Sequence, residues 1–188
     1  VWQGNGGGGA GIWPIYLSSY VHFMVAETQL AAGDVAGAAA SMRIAMEHSF
    51  AKVLSFASLD AEADADFLAT ATEVSDFIDL KVAEFENAPA TVAYSATNPS
   101  DNKDQLDVLG EQYFVAMFGG ANDAWNFIRR TGHPRHLAKG IMDDNESGPF
   151  PRTGTYPSGE ISANPNILQR QDNATLVFWD EGVLNPAN

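Results

Sequence analysis

The sequence predicts an all-α fold, and three observations carry that prediction. Apolar residues recur at helical spacing through several long windows. Two of these windows meet at Gly33-Asp34, a corner that ends one helix and caps the next. Alternating apolar and polar runs, the mark of half-buried strands, are scarce along the chain.

The elements follow in order. Residues 1–14, VWQGNGGGGAGIWP, form an exposed loop, because glycine relaxes the backbone and Pro14 stops a helix from running through. Ser18 or Ser19 can cap a first helix to about Ala32, with Tyr20, Phe23, Met24, Glu27 and Leu30 in register. A second helix is expected from Val35 to about Phe56, with Ala38, Met42, Ala45 and Met46 on one face. Small residues at Ala26, Ala38, Ala39 and Ala45 let the two axes approach. Residues 15–57 therefore read as one antiparallel, tetratricopeptide-like hairpin, present once and imperfectly.

The acidic stretch Asp60 to Asp66 predicts the start of a third helix, since carboxylates favour helix N-termini. Val74, Phe77, Ile78, Leu80, Val82 and Phe85 carry it to about Glu86, and a loop runs from Ala88 to Asp101. A fourth helix is expected from about Asp104 to Met117 and is broken by Gly119-Gly120. Asn122 or Asp123 then caps a short one through Arg130. Residues 131–188 are rich in proline and glycine and predict a loop-rich tail, with Val177, Phe178 and Trp179 as an apolar anchor.

Composition bounds the function. The 188 residues are 45% hydrophobic and 18% charged, which suits one domain, 1–188, or a large piece of a bigger protein. With 24 acidic residues against 10 Lys plus Arg, the net charge is −14. Nucleic acid and anionic membrane surfaces would be repelled, whereas a neutral ligand meets no such penalty. The absence of cysteine removes disulfides, thiolate nucleophiles and thiolate metal sites. No apolar run reaches the ~18 residues of a membrane span, and no signal segment is visible. The chain opens at Val1 and enters a glycine-rich loop, so it is expected to be the C-terminal part of a larger protein.

The chemical motifs are incomplete. Gly4 to Gly9 spell GxGxxG without the strand and helix that a dinucleotide site needs. Asp60, Glu62, Asp64 and Asp66 imitate calcium-loop spacing, but Ala65 and Ala71 stand where Gly and Glu belong. Asp143, Asp144, Asn145 and Glu146 are a weaker ion candidate. His22, His48, His133 and His136 have no zinc spacing. No cofactor and no metal are expected, and no nucleophile elbow is present. Trp125 at helical spacing from Arg129 predicts a guanidinium lying over the indole. Arg129, Arg130 and Arg152 are read as fasteners of the tail, since a guanidinium offers five donors to loop carbonyls and carboxylates.

The ordered motifs resemble the SusD/RagB family, the cell-surface nutrient-binding lipoproteins of Bacteroidetes. Pro14-Ile15, then Tyr20 to Glu27 and Gly33-Asp34, is similar to its first hairpin. Asp123 to Pro134 resembles its Ala-Trp-x-x-x-Arg-Arg-Thr-Gly-x-Pro string. Phe150-Pro151-Arg152, Tyr156-Pro157, Glu160 and Asn164-Pro165-Asn166 resemble its tail, and Val177 to Asp180 its terminus. The resemblance implies tetratricopeptide-like hairpins with long irregular loops. It also implies a protein lipid-anchored and surface-exposed at the outer membrane, the anchor lying outside this chain. Such proteins cap a SusC-like TonB-dependent transporter and pass oligosaccharide or polysaccharide, sometimes peptide, into it.

The expected activity is non-enzymatic glycan capture. Trp2, Gln3, Asn5 and Trp13 are the candidate ligand contacts, because a flat ring stacks on a sugar while amides bond its hydroxyls. Trp125, Arg129, Arg130, Arg152, Tyr156, Glu160 and Asn164 are expected to be structural. Two other classes stay open: a helical protein-interaction module without a sugar ligand, and a glycoside hydrolase using a carboxylate pair ~5–10 Å apart.

Overall fold

The structure is a computed structural model, and it describes residues 14–59, 64–95, 102–137, 150–170 and 173–180. The fold is all-α, with no strand among the described residues. Helices α1 (Ser18–Ala31) and α2 (Val35–Ser55) form an antiparallel hairpin. Ser18 Oγ meets His48 Nδ1 at 2.9 Å, and Ser41 Oγ donates to Gln29 Oε1 at 2.7 Å, so opposite ends of the two helices are paired. At the corner, Gly33 has φ 80°, a left-handed conformation that costs glycine nothing. That conformation lets Asp34 N–H turn back to Gln29 O at 2.9 Å and satisfy an end carbonyl of α1. Tyr20, Phe23 and Ala26 pack against Ala38, Met42 and Ala45, all nearly or fully buried.

Asp34 caps α2 by accepting from Gly37 N–H at 2.9 Å. Its carboxylate occupies the space of a residue 37 side chain: a Cβ on Gly37 would lie 2.1 Å from Asp34 Oδ2. Asp34→Ala should cost about 1 kcal/mol of stability. Adding Gly37→Ala to that variant should recover about 0.5–1 kcal/mol, because alanine then gains its helical advantage without a clash. Chemical denaturation of the single and double variants checks both values.

Several expected boundaries move. The N-cap of α1 is Leu17, with no side-chain cap bond, rather than Ser18 or Ser19. Leu17 packs on the core, Ser19 is buried, and the Ser18 hydroxyl is taken by His48. After a 3-10 turn at Phe56–Leu59, helix α3 (Ala71–Asn87) begins later than the acidic stretch suggested. Of that stretch, Asp60 and Glu62 lie outside the described residues. Asp64 accepts from Asp66 N–H at 3.0 Å and precedes only a three-residue 3-10 turn. The true start is a Thr70–Glu73 capping box, which satisfies two backbone donors reciprocally.

Helix α4 (Gln105–Ala116) starts from a second capping box, Asp104 with Asp107. Helix α5 (Ala121–Thr131) follows the glycine turn directly, with Gly120 at its N-cap, so neither Asn122 nor Asp123 caps it. Asp123 sits inside the first turn, where its charge favours the helix dipole. Tyr113 of α4 joins three helices: its ring stacks on Phe23 of α1 at 4.9 Å and meets Phe127 of α5 edge-on at 5.1 Å. Burial pushes the Tyr113 hydroxyl up to about 12, with nearby Asp123 and Glu27 adding to the shift. The tail holds one short helix, α6 (Ser158–Ala163). The expected anchor at 177–179 holds only at Trp179, whose ring lies against the Arg129 guanidinium, with Phe178 100% exposed and Asp180 adding an ion pair to Arg152.

Candidate functional site

An apolar groove opens between the hairpin and the end of α4. Phe23 of α1, Phe50 and Val53 of α2, Phe77 of α3, Val115 of α4 and Phe118 line a space of about 460 Å³. Ser49, Lys52 and Gln112 are its polar members. Several walls face solvent: Val53 is 58% exposed, Val115 69% and Phe118 93%. Such a surface gains free energy by covering hydrocarbon or a ring, and its walls offer few groups able to polarise a bond.

The second feature is a buried charge cluster at the start of α4. Asp107 is 1% exposed, and both of its oxygens are used. Oδ1 accepts from Arg135 backbone N–H at 2.9 Å, and Oδ2 accepts from Arg135 Nε at 2.8 Å and from Nη2. Arg135 Nη2 also reaches Asp104 Oδ2 at 2.9 Å, and Nη1 donates to Val92 O at 2.6 Å. His133 Nε2 lies 3.5 Å from Asp104 Oδ1 and 3.8 Å from Asp107 Oδ1. Those separations make charge attraction, more than an aimed hydrogen bond, the tie between the ring and the carboxylates.

Burial opposes a charged His133, but Asp104, the Thr131 carbonyl and Asp107 override it and raise its pKa above the ordinary 6.5. Burial likewise opposes an ionised Asp104. His133, the Asp107 N–H and Arg135 win, and hold it below the usual carboxylate value. Asp104, Asp107 and His133 place ligand atoms within 4.8 Å of one another, a spacing that could hold a cation. Arg135 already supplies the positive charge there and saturates Asp107, so the donor set does not suit a metal. His136 turns away from this cluster to pair with Glu111.

The third feature clasps the tail. The Arg129 guanidinium lies 3.7 Å from the centre of the Trp125 ring and 4.5 Å from that of Trp179. Its Nη1 donates to Arg152 O at 2.5 Å, and Trp125 Nε1 donates to Pro151 O at 2.5 Å. In return Arg152 Nη1 donates to Asp180 Oδ1 at 2.6 Å and to Arg129 O at 3.3 Å. Burial, with Arg152 alongside, lowers the Arg129 pKa, although Asp180 opposes that. Arg130 departs from the tail-fastening expectation. It grips Glu27 of α1 with both terminal nitrogens, Nη2 to Oε2 at 2.8 Å, because consecutive helical residues project about 100° apart and so face different neighbours.

Further along, the Gln169 amide brackets the Tyr156 backbone at 3.0 and 2.9 Å, and Arg170 lies over the Tyr156 ring at 4.8 Å. Asn164 Nδ2 donates to Glu160 Oε1 at 3.0 Å across α6. The candidate ligand contacts Trp2, Gln3, Asn5 and Trp13 lie outside the described residues, as do Asp143, Asp144, Asn145 and Glu146. Pro14, next to Trp13, lines the groove. Sequence reasoning missed Asp107 and Arg135. The Asp104-x-x-Asp107 spacing was the available signal, since an acid three residues after an Asp cap closes a capping box.

These features define a helical scaffold with a pinned tail and an open apolar face. The chain belongs to the SusD-like family, described as Susd and RagB outer membrane lipoprotein, whose family model matches residues 13–179. No curated protein matches the chain, and no solved structure does. Among the described residues no helix is long and apolar enough to cross a membrane.

Proposed function

We propose that this chain captures nutrient glycan at the outer-membrane surface, held there by a lipid anchor, and hands it to a SusC-like TonB-dependent transporter. It does so by binding alone, without enzymatic chemistry. The family match over residues 13–179 carries this reading. The net charge of −14 adds to it, because it disfavours anionic partners and leaves neutral sugars unopposed.

Trp2, Gln3, Asn5 and Trp13 supply the ligand contacts in this reading, one pair for stacking and one for hydroxyls. Calorimetry against a panel of neutral oligosaccharides tests it. Trp13→Ala should weaken the best ligand about tenfold, or ~1.4 kcal/mol. Unchanged affinity removes that residue, and no heat with any glycan removes the reading. Release of chromophore from an aryl glycoside would instead establish hydrolysis.

The apolar groove favours one other class, a protein-interaction module. Co-purification of the tagged chain with its transporter, kept or lost when glycan is added, separates a delivery partner from a sugar-independent one.

A further inference from the structure

We propose that His22 and His48 form a site for a divalent transition metal of the zinc class, joining α1 to α2. The site is independent of the glycan reading, because neither histidine takes part in it. The two rings stand 5.0 Å apart between centroids and nearly perpendicular, at 84°. No zinc spacing links them along the sequence; the antiparallel hairpin alone brings them together. Zinc–imidazole bonds of about 2.0–2.1 Å at a tetrahedral angle put two ligand nitrogens about 3.3 Å apart. Ring nitrogens turned toward each other from centroids 5.0 Å apart can meet that spacing.

Ser18 orients the pair. It lies one helical turn before His22 on the same face of α1, and its Oγ meets His48 Nδ1 at 2.9 Å. A metal-ligating imidazole donates its second ring N–H to a nearby acceptor, which fixes the tautomer and turns the other lone pair to the ion. Nδ1–H donating to Ser18 Oγ leaves His48 Nε2 for that role. His48 is exposed and His22 half-buried, so ions in solvent reach the rings. The net charge of −14 draws cations to the chain. Lys52, one turn beyond His48, carries its ammonium to the Phe56 ring at 5.4 Å. Imidazole ligands select zinc, nickel and copper over calcium and magnesium. Among the described residues no carboxylate joins the two rings as a third ligand. Water therefore completes the shell, and binding is weaker than at a structural zinc centre with four protein ligands. Such an ion ties α1 to α2 at the hairpin's open end, away from the Gly33 corner.

The test titrates zinc chloride into the full chain by calorimetry, without a polyhistidine tag, which would bind the metal itself. The expected result is one zinc per chain and no heat with calcium. His22→Ala and His48→Ala should each weaken zinc binding at least tenfold, with helicity unchanged by circular dichroism. His22→Asn and His48→Asn repeat the test should either alanine disturb the hairpin. Ser18→Ala should weaken binding about tenfold through the lost orientation of His48, whereas His136→Gln should leave it unchanged. Saturating zinc should also raise the melting temperature of the wild type and not of the His22 and His48 variants. Absence of zinc heat overturns the proposal, as does zinc bound equally well by both histidine variants. Binding lost in His136→Gln also overturns it, since the ion then sits elsewhere. So does a dimer mass at one zinc per two chains, since two copies would then share the ion.

Discussion

Asp107→Ala is expected to lower the unfolding free energy by about 3–5 kcal/mol, the range for removing one partner of a buried ion pair. The side chain is 1% exposed and accepts from the Arg135 backbone, Nε and Nη2. Its loss leaves the guanidinium, itself only 12% exposed, facing Asp104 alone. It also removes half of the α4 capping box. Asp107→Asn should cost less, because the amide oxygen can still accept from one donor while the charge is lost. Urea denaturation orders the two variants, and equal costs would show that charge, not hydrogen bonding, dominates.

The same cluster gives a pH dependence with a definite sign. The folded pKa of His133 lies above its unfolded value near 6.5. Its contribution is therefore full below that value and is lost as pH rises through the folded pKa. Stability measured from about pH 6 to about pH 9 should fall in the wild type. The fall should be smaller in Asp107→Ala, which lacks one of the carboxylates that raise the histidine.

Much of the fold was legible because it is written locally. Gly33-Asp34 needs only its neighbours to stop one helix and start another, and the small residues Ala38 and Ala45 mark the hairpin seam. Helix starts were less legible, because several residue types compete for each one. Ser18 had the right chemistry for a cap, yet Leu17 took the position through packing that periodicity does not reveal. The acidic run before α3 looked like a helix start, but Thr70 and Glu73 close a better one downstream. Sites made by distant residues were legible only in part. Trp125 and Arg129 are one helical turn apart, so their contact follows from spacing. Arg135 with Asp107 and Arg130 with Glu27 join positions 28 and 103 residues apart, and no spacing rule reaches that far.

Arg152→Ala should release the tail and leave the helices standing. Arg152 is 4% exposed and its partner Asp180 6%, so truncation strands a buried carboxylate without this guanidinium. The local cost is about 3–5 kcal/mol. The cost need not appear as global unfolding, because the ring contacts that join Phe23, Tyr113 and Phe127 lie among α1, α4 and α5 and do not involve Arg152 or Asp180. Regions with few buried contacts open at lower free energy than the core they rest on. Hydrogen exchange should accordingly quicken at Arg152 and Thr153, whose amides bond Asn173 O at 2.7 and 3.0 Å, while α1 and α4 keep their protection. Arg129→Lys should loosen the same clasp from its other side. An ammonium cannot lie flat between Trp125 and Trp179, nor span Asn126 and the Arg152 carbonyl with two nitrogens as the guanidinium does. Uniform acceleration of exchange across all helices in Arg152→Ala would show instead that the tail is part of the cooperative core.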